Sequence, residues 1–181
     1  MIPRLESTDP EDLFFVDSGI TYDGAPATTI TGITHLLGKT VHVMADGVDI
    51  PDKVVSVTGE ITLDVAASVV HVGLPYTCDL KTLKPDLNTN EGTIQGRKVR
   101  CSHVVVKFLE SRGGKLGPNE NNLYDVDLKR LSTLEDPLAL VSGDVKHTVA
   151  GDWDGGQIFF RQDRPLPTTI LSIVPVLTVG G

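Results

Sequence analysis

Two stretches of period-two alternation constrain what this chain can fold into. In residues 57–76, VTGEITLDVAASVVHVGLPY, Ile61 and Leu63 fall on one side and Glu60, Thr62 and Asp64 on the other. Within the same stretch Val70 and Val72 oppose Val69 and His71. In residues 98–111, KVRCSHVVVKFLES, Val99, Cys101, His103 and Val105 alternate with Arg100, Ser102, Val104 and Val106. Period two is the pattern of a half-buried strand, because successive side chains leave opposite faces of the backbone. The valine-rich middle of the second run favours strand over helix. Gly59 before the first run and Gly73-Leu74-Pro75 after it supply turn chemistry, so 57–76 reads as a strand pair closed by a Gly–Pro break. Gly73 is expected to hold a positive φ there, and Gly73→Val to cost of order 1 kcal/mol.

The rest of the chain repeats this texture. The 18 glycines and 11 prolines are spread between short apolar runs, an all-β habit. Residues 13–16 (LFFV), 20–22 and 28–31 read as short strands, with Asp17-Ser18-Gly19 and Asp23-Gly24-Ala25-Pro26 as turns. Residues 32–38 (GITHLLG) read as one helical turn. Thr40 to Ala45 alternates and ends in Asp46-Gly47, a strong hairpin signal. Pro51 marks the returning strand as an edge or a bulge. The fold class is therefore all-β. A polar leader (1–12) is followed by a small β-barrel (13–83), closed so that no edge is left unpaired. The barrel's range ends with a strand at 77–83, and a second β-sheet or sandwich module (84–181) follows, with strands at 98–111, 145–149, 157–162 and 169–174 and long loops at 84–96 and 112–124. Residues 128–140 read as irregular.

Charge and composition exclude several classes. The net charge is −8 with no basic run, which argues against phosphate-backbone binding driven by counterion release. Cys78 and Cys101 do not make a disulfide framework. No apolar run reaches the roughly 18 residues that span a bilayer, so no membrane insertion is expected. The first residues, MIPRLESTDPEDLFF, carry acids where a secretory signal carries bases, so no export is expected.

Candidate chemistry is sparse. Phe14 to Gly19 ends an apolar run in Asp-Ser-Gly, the way an aspartic protease presents a carboxylate, with Asp17 in that role and a dimer needed for the second acid. Ile20 stands where such enzymes have a small residue, and an ordinary strand-to-turn Asp explains the string. Asp86-Leu87-Asn88-Thr89-Asn90 opens like a calcium loop, but Glu91 and Arg97 occupy the positions that need Gly and Glu. Cys101 and His103 share a strand face, yet a zinc site would need two more ligands from Cys78, His35, His42, His71 or His147, none at a recognised spacing. Residues 111–115 (SRGGK) lack the upstream glycine of a phosphate loop and read as a turn. Trp153, in DWDGG, is a conceivable contact for a sugar or a protein. No catalytic residue, metal or cofactor is assigned.

Three longer strings carry a resemblance. LFFVDSGITYDGAPATTITGITHLLGKTVHVMADG, SVVHVGLPYTCDLKTL and QIFFRQDRPLPTTILSIVP resemble the C-terminal region of a tail protein of tailed bacteriophages and prophages, a family often labelled by a ubiquitin-activating-enzyme-like (FCCH) domain without ubiquitin chemistry. The best markers are Val16-Asp17-Ser18-Gly19, Val72-Gly73-Leu74-Pro75-Tyr76 and Gln162-Asp163-Arg164-Pro165-Leu166-Pro167. The resemblance implies a non-catalytic virion component of nozzle or tube type, made in the host bacterial cytoplasm. It would form a homo-oligomeric ring with other phage tail proteins around a channel that DNA passes without sequence-specific binding. Full members are much longer, so this chain is expected to be their C-terminal part. Residues 85–96 and 117–140 carry no marker. The stiff Pro165-Leu166-Pro167 segment is expected at a surface that meets a neighbour, as are the loops at 84–96 and 112–124. A receptor- or glycan-binding tail module is the alternative, and a retroviral-type protease using Asp17 stands behind it.

Overall fold

A computed structural model of the chain describes residues 10–89, 92–126, 128, 140–149 and 155–180, and nearly all of its regular structure is β-strand. The chain divides into two compact units. One takes in the described residues up to Thr77 together with Leu140 and Asp163–Pro167. The other takes in the described parts of Cys78–Thr133, Val141–Gln162 and Thr168–Gly181.

In the first unit β1 (Asp17–Ile30), β2 (Thr40–Ala45), β3 (Val48–Val54) and β4 (Ile61–Leu74) form one antiparallel sheet in the order β1-β4-β2-β3. The expected strand pair at 57–76 is a single strand, β4. Its middle, Asp64-Val65-Ala66, has no glycine or proline, and the chain does not reverse there. It swells instead: Thr29 pairs with Thr62 and Ala27 with Ala67, so β4 advances five residues where β1 advances two. The expected turn Asp23-Gly24-Ala25-Pro26 is likewise an irregularity within β1, between the Asp23–Val69 and Ala27–Ala67 pairs. Pro26 is tolerated there because β1 is an edge strand and needs no donor on its open side.

The Asp46-Gly47 hairpin forms as expected. Both residues are left-handed (φ 46° and 73°), the geometry that matches the twist of paired strands. The Asp46 carboxylate then accepts from the Ser68 and Val69 amides at 2.9 and 2.8 Å, just past the irregular part of β4. Pro51 lies on β3, an edge, as its chemistry requires.

Both faces of β4 are covered near its end. Val70 and Val72 enter a core with Ile30, Ile33, Val41 and Val43. His71, facing the other way, is buried too. Its Nε2–H donates to the Glu11 carbonyl (2.8 Å), its Nδ1 accepts from the Thr21 hydroxyl (2.8 Å), and the Phe14 ring stands edge-on at 5.5 Å. Residues 13–16 are therefore an irregular cover, not the expected strand. Pro10–Asp12, expected within the leader, is a 3-10 turn.

Where β1 starts beside the end of β4, two glycines meet. A Cβ on Gly73 would lie 2.6 Å from the Asp17 carbonyl oxygen and 2.8 Å from Gly19 Cα. One on Gly19 would lie 2.7 Å from the Val72 carbonyl and 2.6 Å from Val16 Cγ2. Gly73 is not in the positive-φ region, so the expected reason for it was wrong: close backbone approach, not φ, requires glycine here.

The second unit holds β5 (Cys78–Lys81), β6 (Asn88–Thr89), β7 (Gly92–Thr93), β8 (Val99–Ser111), β9 (Lys115–Asn119), β10 (Asn122–Asp125), β11 (Val141–Thr148), β12 (Phe159–Gln162) and β13 (Thr169–Val179). One sheet runs β10-β9-β12-β5, another β11-β8-β13, and β6 pairs only with β7. The first two contribute to one core, Leu116 and Phe160 from one and Val104, Val106, Phe108 and Val145 from the other. The long loop expected at 112–124 is mostly the β9–β10 hairpin, whose turn is set by Asn119 Oδ1 accepting from the Asn121 and Asn122 amides at 3.0 and 3.1 Å. Most of the irregular stretch expected at 128–140 lies outside the described residues.

Gly73→Ala and Gly19→Ala should each lower stability by about 1–3 kcal/mol, because backbone must move to admit the methyl group. Thermal unfolding followed by circular dichroism checks both; an unchanged melting temperature in either variant would refute the close-approach argument.

Candidate functional site

The candidate residues are dispersed by the fold. Asp17 is exposed at the first position of β1, and its Oδ1 accepts from the Ser18 amide at 2.8 Å. Its carbonyl faces Gly73, so the Asp-Ser-Gly string is used at the glycine contact. Asp86 is engaged by its own loop: Thr93 Oγ1 donates at 2.7 Å and Gln95 Nε2 at 2.5 Å, bonds that hold its carboxyl below the usual range.

Cys101 and His103, expected on one face, point to opposite faces. Val176 pairs with His103 and Leu177 with Cys101, so Ser102 is an extra residue that flips the alternation. Cys101 enters the core, where burial pushes its thiol pKa up, and Sγ donates to the His103 carbonyl at 3.3 Å. Cys78 is exposed on β5. His35 Nε2 donates to the Ser18 carbonyl at 2.7 Å. Among the described residues no three His, Cys, Asp or Glu side chains are grouped to hold a metal ion. Residues 112–114, expected within a turn at 111–115, are the irregular connection between Ser111 at the end of β8 and Lys115 at the start of β9. The Ser111 hydroxyl is tied to β13, accepting from the Thr169 amide at 2.8 Å. Trp153 lies outside the described residues.

The strongest polar constellation joins residues far apart in sequence. Arg164 Nε and Nη2 donate to the two oxygens of Asp49 at 2.7 and 2.6 Å, Nη1 to Asp52 Oδ1 at 2.9 Å, and Nη2 also to the Ile50 carbonyl at 3.0 Å. A forked guanidinium on a carboxylate is the strongest geometry such a pair can adopt. It holds Asp163–Pro167 to the edge strand β3 within the first unit. Pro165 and Pro167 are buried there, while Leu166 is half-buried. Buried His42 has Nε2 3.7 Å from Asp52 Oδ1. Burial lowers its pKa, an effect that Arg164 reinforces and Asp52, Asp49 and Asp163 oppose.

His147, on β11, is also held below the ordinary histidine value by burial, and its Nε2 is buried without a hydrogen-bond partner. Both imidazoles thus take up a proton at lower pH in the folded chain than in the unfolded chain, which does so near pH 6.5. Stability present above that pH is lost as pH falls through it toward the lower folded values. The melting temperature should therefore drop between about pH 7.5 and about pH 5, and drop less in His147→Leu; parallel losses would contradict this assignment. Arg164→Lys, which keeps the charge but loses the fork, should cost about 1–2 kcal/mol in urea unfolding, and an unchanged midpoint would refute the fork's role.

Compared with protein-family models and with curated proteins, the chain matches none of either.

Proposed function

We propose that the chain is a structural, non-catalytic component of a bacteriophage tail, of nozzle or tube type, assembled with copies of itself as a ring around the DNA exit channel. The observation that carries this reading is the use of the three marker strings. Asp17-Ser18-Gly19 and Val72-Gly73-Leu74 meet at the glycine contact. Arg164-Pro165-Leu166-Pro167 is fixed to β3 by the Asp49 and Asp52 bonds. Strings that distinguish the chain thus do packing work, as in a protein whose role is shape. In this reading its place is the virion tail, after synthesis in the host cytoplasm, among other tail proteins. The charge of −8 suits a channel that DNA passes without sequence-specific binding or electrostatic capture.

Light scattering across a concentration series, with negative-stain images of the large species, tests the proposal. Closed rings of many copies are expected. A monomer at every concentration would overturn the assignment of ring contacts to this chain. Peptide cleavage abolished by Asp17→Asn would overturn its non-catalytic character.

A further inference from the structure

Charge is divided unequally along the chain. Residues 1–77 hold three Lys or Arg against eleven Asp or Glu, whereas residues 78–181 hold thirteen of each. The whole net charge of −8 therefore falls in residues 1–77, most of which belong to the first unit. Two copies would repel wherever their first units face each other, and would attract where an acidic first unit meets a basic face.

Such a face exists on the sheet β11-β8-β13. Register fixes which side chains share its outer side. Val105 lies between Val174 and Lys146, Lys107 between Ser172 and Asp144, His103 between Val176 and Thr148, and Arg100 beside Thr178. The result is an apolar strip, with Val174 54% exposed, next to Arg100, Lys107 and Lys146, with Asp144 as the acid among these paired positions. β13 has no charged residue in eleven. The other edges of the unit's two larger sheets carry them: Asp144 and Lys146 on β11, Asp79 and Lys81 on β5, Asp125 on β10. Natural edge strands are commonly protected by charge, and an uncharged apolar one is a place where a partner docks. Pro175 and two register irregularities interrupt β13, so its side chains, rather than an extended ladder, offer the contact.

The first unit has a matching feature. The hairpin at Asp46-Gly47, Pro51 on β3 and the swollen part of β4 enclose an open groove of about 330 Å³ lined by Val48, Ile50, Leu63 and Val65, with Asp46 and Asp64 beside them. Val65 is 78% exposed. This groove is apolar with Asp46 and Asp64 around it, Asp64 also pairing with Lys53; the β13 face is apolar with bases around it.

We infer that copies of this chain associate head to tail, the β13–β8 outer face of one copy seating against the Val48–Val65 groove of the next. A contact between two different patches repeats from copy to copy and builds a ring or a filament, whereas a self-complementary patch stops at a dimer. The inference rests on the proposed function in one respect, that copies of this chain meet.

The test uses two blocked variants of the full chain, each changed at exposed positions: Val174→Asp with Lys146→Glu on the sheet face, and Val65→Asp with Val48→Asp in the groove. Circular dichroism melting establishes that each folds like the wild type; if a double variant melts early, its single change at Val174 or Val65 is used instead. By light scattering, the wild type is expected to form large species and each variant alone to dissociate at least tenfold more readily. Mixed, the two should form a one-to-one dimer and nothing larger, since only one intact pair of patches remains. A groove variant that assembles like the wild type, or a mixture that stays monomeric, overturns the head-to-tail contact while leaving the ring reading in place. A monomeric wild type overturns both.

Discussion

Contact between two backbones without side chains is the constraint on which the first unit depends. Gly19 and Gly73 let the start of β1 and the end of β4 approach so closely that even a methyl group has no place. That approach sets the register of the longest ladder in the unit, beginning at the Asp17–Leu74 pair. It also lets Val16 turn inward, so residues 11–16 run back over β4 and bury His71. A strand with both faces covered needs apolar or fully hydrogen-bonded side chains on each face. Val70 and Val72 satisfy the first requirement, and His71, with both ring nitrogens engaged, satisfies the second.

Much of the architecture was legible because it is local. The all-β class, the β2–β3 hairpin, the edge position of Pro51 and the strand at 98–111 follow from alternation and turn chemistry within a dozen residues. What was misread depends on partners far away. Whether Asp23-Gly24-Ala25-Pro26 turns or swells is decided by β4, which holds both of its flanks in one ladder. The shared face expected for Cys101 and His103 is undone by one extra residue, visible only against β13, some 75 positions later. Arg164 and Asp49 are 115 residues apart, and no spacing rule links them. The β9–β10 hairpin was the avoidable miss: Asn119 and the asparagines after it are turn residues between two short apolar pairs.

Electrostatics divides the labour between the units. Acidic residues of the first unit do local work where the fold needs it: Asp46 accepts strand amides, Asp49 and Asp52 hold Arg164, and Asp64 pairs with Lys53 at 2.9 Å. Residues 78–181 are balanced in charge, and the second unit's least charged edge, β13, is also among its most apolar. In the proposed assembly this asymmetry disfavours most orientations of two copies and favours few, which is how a repeating assembly avoids disordered aggregation. The proposed contact rests on that asymmetry, and the proposed tail role on the packing of the marker strings.

Amide hydrogen exchange at low and high protein concentration tests the account most directly, because it reads assembly and its location together. The account predicts that exchange slows with concentration in two places, residues 171–178 on β13 and residues 63–67 on β4, while the amides around Gly19 and Gly73 are slow at both concentrations. Exchange that does not change with concentration anywhere, or protection confined to other segments, would contradict it.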